Sequence, residues 1–241
     1  EYLDQTFKPW FIRKCGEAET GTNEFFYDPV RRQAIRFTRE NGQINFFDVA
    51  DGVRVDAMRV PPNLKRLQWN GDFTAAFART VTGEPFHLDR HSKTARQSEG
   101  PAETVDRDGA FADRKRYYQL SENGTIRTWD FASGKMLASY PPVEGMDYGN
   151  DVNCNIDPGG GSLALISMKS GAMLLDLNDG RVLWKIEAVD GNQITECGYC
   201  DWLAEGNALA HFKYKEGFGS LALIGPDGVV KKQHPIEELR S

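Results

Sequence analysis

Apolar and polar residues alternate in short runs along most of this chain, and nowhere do they hold a helical period for long. Residues 43–48 (QINFFD), 84–89 (EPFHLD), 125–130 (TIRTWD) and 172–176 (AMLLD) are such runs, each closing on an aspartate. Period-two alternation in pieces of this length predicts half-buried β-strands. The breaks between runs are turn dipeptides: Asn41-Gly42, Asp51-Gly52, Asn123-Gly124, Ser133-Gly134, Asp179-Gly180 and Asp227-Gly228. Glycine there supplies the positive φ that a tight hairpin needs, so the pattern predicts strands folded back on their neighbours. The tail, residues 235–241, is expected to form one helical turn.

The runs repeat. Gly42, Gly83, Gly124, Gly171 and Gly219 each lead a strand, at intervals of 41, 41, 47 and 48 residues. The first four of these strands end in Asp48, Asp89, Asp130 and Asp176, and the fifth runs into Asp227-Gly228. A second column, Tyr27-Asp28, Trp69-Asn70, Phe111, Ile156-Asp157 and Trp202, lies upstream at intervals of 42, 42, 45 and 46. Two columns keeping one period of about 40–45 residues, with strand-and-turn content, point to the blades of a propeller.

On these residues the chain resembles the WD-repeat β-propeller family. The best unit runs from Phe111 to Lys135, and it alone carries the Trp129-Asp130 pair. The resemblance spans roughly residues 25–235 and implies an all-β propeller of five four-stranded WD-like blades, either a five-bladed ring or part of a larger one. It also departs from the family. The Gly-His dipeptide before the inner strands is missing, and Asn41, Thr82, Asn123 and Ser170 stand where the family has a turn aspartate. The family's buried Asp–His–Ser/Thr–Trp network is therefore expected to be absent.

One propeller domain is expected over residues 1–241, with an N-terminal edge strand at 7–13 and blades at about 25–60, 64–97, 104–140, 151–187 and 194–234. Pro9 confines the first strand to an edge. The blades are joined by a short linker, Pro61-Pro62-Asn63, and three longer ones at 98–108, 141–150 and 188–193.

Composition narrows the classes of function. A formal charge of −6 disfavours nucleic acid as the main ligand, because phosphate binding calls for a basic face. No apolar run approaches the ~20 residues of a membrane-spanning helix. The chain begins at Glu1 rather than an initiator Met, which leaves room for residues upstream. No signal-peptide pattern is present, and a cytoplasmic setting is favoured.

Little in the chain points to chemistry. Cys197 and Cys200 form one CxxC with Cys154 on the preceding unit, whereas structural zinc takes four ligands, often as paired CxxC elements. Buried free thiols are the favoured reading, with a Cys154–Cys197 disulfide or a metal site as the alternative. His87 and His91 are four apart but fall on a strand and its turn, where that spacing brings nothing together. Gly159-Gly160-Gly161 links two strands, and Asn123-Gly124-Thr125, a formal glycosylation acceptor, is a hairpin turn. No catalytic residue, cofactor or metal site is expected. Residues 177–187 (LNDGRVLWKIE) resemble a repeat of quinone-dependent dehydrogenase propellers, but only Trp184 matches the pattern across five units.

The reading that follows is a non-catalytic scaffold presenting one loop face to a protein partner or a neighbouring domain. The alternatives are a ligand-binding or enzymatic propeller of the quinoprotein or hydrolase kind, and an open array of blades completed by another chain. Function concentrates in long loops on a rigid frame. The partner site is therefore expected on the long linkers, at Arg107, Asp147, Tyr148, Asp190 and Asn192.

Overall fold

A computed structural model describes residues 23–100, 103–111, 113–144, 153–157, 163–168, 171–187, 194–203, 207–214 and 218–237. They form five antiparallel four-stranded sheets, each a simple meander. The first holds β1 (Asn23–Asp28), β2 (Gln33–Thr38), β3 (Gln43–Asp48) and β4 (Arg54–Arg59). The second holds β5 (Lys65–Trp69), β6 (Ala75–Arg79), β7 (Pro85–Asp89) and β8 (Thr94–Gln97). The third holds β9 (Val105–Ala110), β10 (Arg116–Ser121), β11 (Ile126–Asp130) and β12 (Met136–Tyr140). The fourth holds β13 (Asn153–Ile156), β14 (Leu163–Met168), β15 (Gly171–Asp176) and β16 (Val182–Glu187). The fifth holds β17 (Ile194–Trp202), β18 (Ala208–Tyr214), β19 (Phe218–Ile224) and β20 (Val230–Glu237).

The repeat columns mark fixed points in every sheet. Phe47, Leu88, Trp129 and Leu175 are each the residue before the aspartate that ends a third strand, and all four are buried. The upstream column marks the end of each first strand, with Trp69 and Phe111 buried and Trp202 half-buried. Third and fourth strands shift register at the same place in three sheets: between Phe46 and Phe47, Leu174 and Leu175, and Leu223 and Ile224. Such bulges sharpen the local twist where the chain turns toward the outer strand.

Two compact units are present. One gathers the described residues up to Thr104 together with Trp129–Met136, and the other gathers Val105–Thr128 with the residues from Leu137 on. The core of the first unit packs Ile35, Phe37, Ile44 and Phe46 with Leu64, Leu67, Trp69 and Leu88. The Trp69 ring stacks on Phe73 at 5.9 Å and meets Phe46 edge-on at 6.1 Å. Among the described residues of the second unit, one apolar cluster gathers Phe111, Leu120, Ile166 and Met173 and another Leu174, Ala208, Ala210 and Ile224.

Two expectations need correction. The tail is not helical where it is described, since β20 continues through Glu237 by pairing Pro235 with Ser220 and Glu237 with Phe218. The linker expected at 98–108 stops at Thr104. Val105–Ala110 is a strand, VDRDGA, because its backbone pairs with β10 from Tyr117 to Ser121 despite three consecutive charged residues. The N-terminal edge strand expected at 7–13 lies outside the described residues.

Candidate functional site

In each sheet, the connections between first and second strands and between third and fourth lie at one end. The turns between second and third strands lie at the other end, with the linkers to the next sheet. This second end was expected to carry the partner site, and its described turns are held tightly. Gly42 N–H donates to Arg39 O at 3.3 Å, Gly83 N–H to Thr80 O at 3.2 Å and Gly124 N–H to Ser121 O at 2.8 Å. Asn41 and Asn123 side chains accept from the amides two residues on. The Glu84 carboxylate accepts from the Thr80 and Thr82 hydroxyls, which hold it below the usual carboxyl range. The first linker is strapped to its turn: Val60 N–H donates to Gly42 O at 2.8 Å and Asn63 N–H to Arg39 O at 2.7 Å. At Gly42 (φ +62°) a Cβ would lie 2.1 Å from Val60 O, so only glycine fits.

Of the five expected site residues, one is described. Arg107 is half-buried on β9, opposite Leu120 and beside the register shift between Leu120 and Ser121. It therefore belongs to a blade and not to a linker. Its neighbour Asp108 is buried and accepts from Tyr117 Oη at 3.0 Å, and Tyr117 Oη in turn accepts from Gln119 Nε2 at 3.2 Å. Asp147, Tyr148, Asp190 and Asn192 lie outside the described residues.

The opposite end shows what the repeat is for. Each aspartate that closes a third strand caps its own turn: Asp48 accepts from Ala50 N–H, Asp89 from Ser92, Asp130 from Ser133 and Asp176 from Asn178, at 2.7–3.0 Å. The Ser92 amide holds the Asp89 carboxyl below its usual range. Four residues after each aspartate the backbone enters the left-handed region, at Gly52, Lys93, Gly134 and Gly180, and in the shorter fifth turn it does so at Gly228, three residues past Gly225. Lysine at the second of these positions shows that the geometry persists without glycine.

These turns dock on the preceding blade. Lys93 Nζ pairs with Asp56 on β4. Gly134 lies against the His87 ring of β7, Gly180 against Tyr140 of β12, and Gly228 against the Leu183 backbone of β16. Phe131 O and Leu177 O, each one residue past the turn aspartate, accept from His87 Nε2 (2.7 Å) and from Tyr140 Oη. Asp28, fully buried at the end of β1, joins the first two blades: it accepts from Arg31 (3.1 Å) and from Arg90 (2.9 Å), whose guanidinium covers the Phe46 ring at 3.9 Å. Two arginines on one buried carboxylate satisfy its lone pairs, and Arg90 bonds Gln33 as well. This is a structural joint with its donors engaged.

Sequence reasoning gave no joining role to His87, Arg90 or Lys93. For His87 a signal exists, since the residue two before the turn aspartate is Phe46, His87, Thr128 or Leu174, and histidine is the ionisable member of that column. Cys154 is a free, buried thiol, pushed up to about 12 by burial, which leaves it unreactive as a nucleophile. The side chains of Cys197 and Cys200 lie outside the described residues. Trp129 Nε1 donates to Glu99 O at 2.9 Å, a backbone acceptor.

Five meandering four-stranded sheets with an aspartate-capped turn after each of the first four third strands define a WD-repeat-like β-propeller fold. A solved structure, the C-terminal WD40 domain of Sif2, is similar to this chain with a TM-score of 0.56 at 12% sequence identity. The similarity covers 92% of this chain and 61% of that one, so the chain spans less than two thirds of the structure it matches. No family model and no curated protein matches the sequence. WD40 domains typically mediate protein interactions.

Proposed function

We propose that the chain is a non-catalytic protein-interaction scaffold, a single propeller domain that offers its linker-bearing end to a protein partner. The observation carrying this reading is the pre-organisation of that end. Its described turns are cross-bonded, and its first linker is strapped to the turn beside it by two backbone hydrogen bonds. A rigid frame lets exposed side chains on longer linkers bind without the ordering cost that weakens flexible surfaces. The contact residues in this reading are Asp147, Tyr148, Asp190 and Asn192, with Arg107 at the edge of the surface. Tyrosine is the anchor, because aromatic and arginine side chains dominate binding energy at interfaces.

The test uses the full chain and a partner captured from its source by cross-linking. Replacing Tyr148, Asp190 and Asn192 together by Ala is expected to weaken that partner by at least about tenfold with thermal stability unchanged. Replacing Arg32, Asp51 and Arg54 at the opposite end is expected to leave affinity alone. Loss of binding from the second set only would overturn the reading.

A further inference from the structure

The clasp at Phe131 differs from its sister at Leu177 in its donor, an imidazole, a side chain that takes up a proton near pH 6.5 when free in water. We propose that the turn joining β11 to β12, with its flanking residues Trp129–Met136, is a detachable hook on the second blade that protonation of His87 releases. The geometry is specific. Trp129–Met136 clusters with the first two blades, although the strand it closes belongs to the third sheet. Contacts with the first two blades hold it there. Trp129 Nε1 donates to Glu99 O, the Phe131 ring meets Phe77 edge-on at 5.3 Å, and His87 Nε2 donates to Phe131 O.

The bond to a carbonyl fixes the tautomer, since Phe131 O can only accept. Nε2 therefore carries the proton and Nδ1 is the bare nitrogen of the neutral ring. Nδ1 faces Gly134, where a Cβ would lie 2.8 Å from it, and the Phe77 ring covers the imidazole at 5.3 Å. A second proton on Nδ1 would thus point at a backbone CH in a site where His87 is 3% exposed. The charged groups around the ring oppose one another: Asp89 on β7 and Asp130 on β11 favour the cation, and Arg96, paired with His87 across β7 and β8, disfavours it. Burial outweighs the carbonyl and the two carboxylates, so the ring is held below the usual histidine range.

The sign follows. The released hook leaves His87 in water, where it takes up a proton near pH 6.5, while the docked ring resists it. The open form binds more protons, so acid favours opening, and attachment is complete above that pH. Tyr140 at the sister clasp stays neutral throughout, because burial raises its hydroxyl further.

Native-state amide exchange, read residue by residue at pH 7.5 and 5.5 and corrected for intrinsic rates, tests this. The Gly134 amide, which bonds Asp130 O, and the Trp129 indole are expected to lose about tenfold of protection at the lower pH. The Gly180 amide, which bonds Asp176 O in the equivalent turn, is expected to hold its protection. His87→Gln should abolish the pH dependence at Gly134. Equal protection of Gly134 at both pH values, or a parallel fall at Gly180, would overturn the proposal, and neither comparison needs a variant that folds.

Discussion

The turns closing the third strands of the third and fourth blades are the same object built twice. Each has an aspartate capping a backbone amide, a left-handed glycine four residues on, and a carbonyl one residue past the aspartate that accepts a side-chain hydrogen bond from the preceding blade. They differ in the donor. At Phe131 it is His87, buried on a third strand, and at Leu177 it is Tyr140, half-buried on a fourth. The backbone of the repeat fixes the acceptor and its position. Which side chain reaches it is left free, because any donor of suitable length on either of two strands can satisfy one such carbonyl. The repeat therefore specifies where blades are joined, while individual residues set how strongly and under what conditions.

The largest way to break this comparison is at Trp129, whose indole fills the aromatic cluster with Phe77 and Phe131 and bonds Glu99 O. Trp129→Ala should cost ~3–5 kcal/mol in urea unfolding, since a fully buried ring leaves a cavity. Trp184, half-buried on β16, should cost clearly less under the same truncation. A smaller but sharper contrast comes from the two glycines. A Cβ at Gly134 meets the His87 ring at 2.6 Å and one at Gly180 meets the Tyr140 ring at 2.9 Å, both at positive φ. Each Gly→Ala change should destabilise by more than ~1 kcal/mol. The loss should be greater at Gly134, where the buried imidazole has no room to yield. Smaller again is Tyr140→Phe, which leaves Leu177 O without this donor and should cost ~0.5–1.5 kcal/mol.

Much of the fold could be read before any coordinates, for a physical reason. Turn chemistry is local: Asp130 and Gly134 bond within one four-residue turn, so their spacing announces the hairpin, and it recurs at Asp48–Gly52 and Asp176–Gly180, while Asp89, with Lys93 four residues on, is marked by Gly83 leading its strand. The donors were hidden because they act across blades, where sequence separation carries no information; His87 and Phe131 are 44 residues apart. Strand β9 was harder to see for a different cause. Asp106, Arg107 and Asp108 read as a loop, yet Asp108 is taken up by Tyr117 inside the sheet, so burial of a satisfied carboxylate replaced the expected apolar pattern. The site residues on the longer linkers rest on sequence alone.

One left-handed position in the turn after the third strand, four residues past the aspartate in the first four blades, recurs in all five blades and lies at the described joints of the second to fifth blades with the blade before. The most direct test of its role is a single series of urea midpoints with opposite substitutions. Gly52→Ala, Gly134→Ala, Gly180→Ala and Gly228→Ala should each lower the midpoint, because every one of these residues has positive φ. Lys93, a lysine at φ +55°, should behave in the reverse sense. Lys93→Gly relieves a left-handed side chain and loses only a surface pair with Asp56, so the midpoint should hold or rise. A Lys93→Gly loss as large as those of the four alanine variants, or glycine-to-alanine changes that cost nothing, would contradict the account.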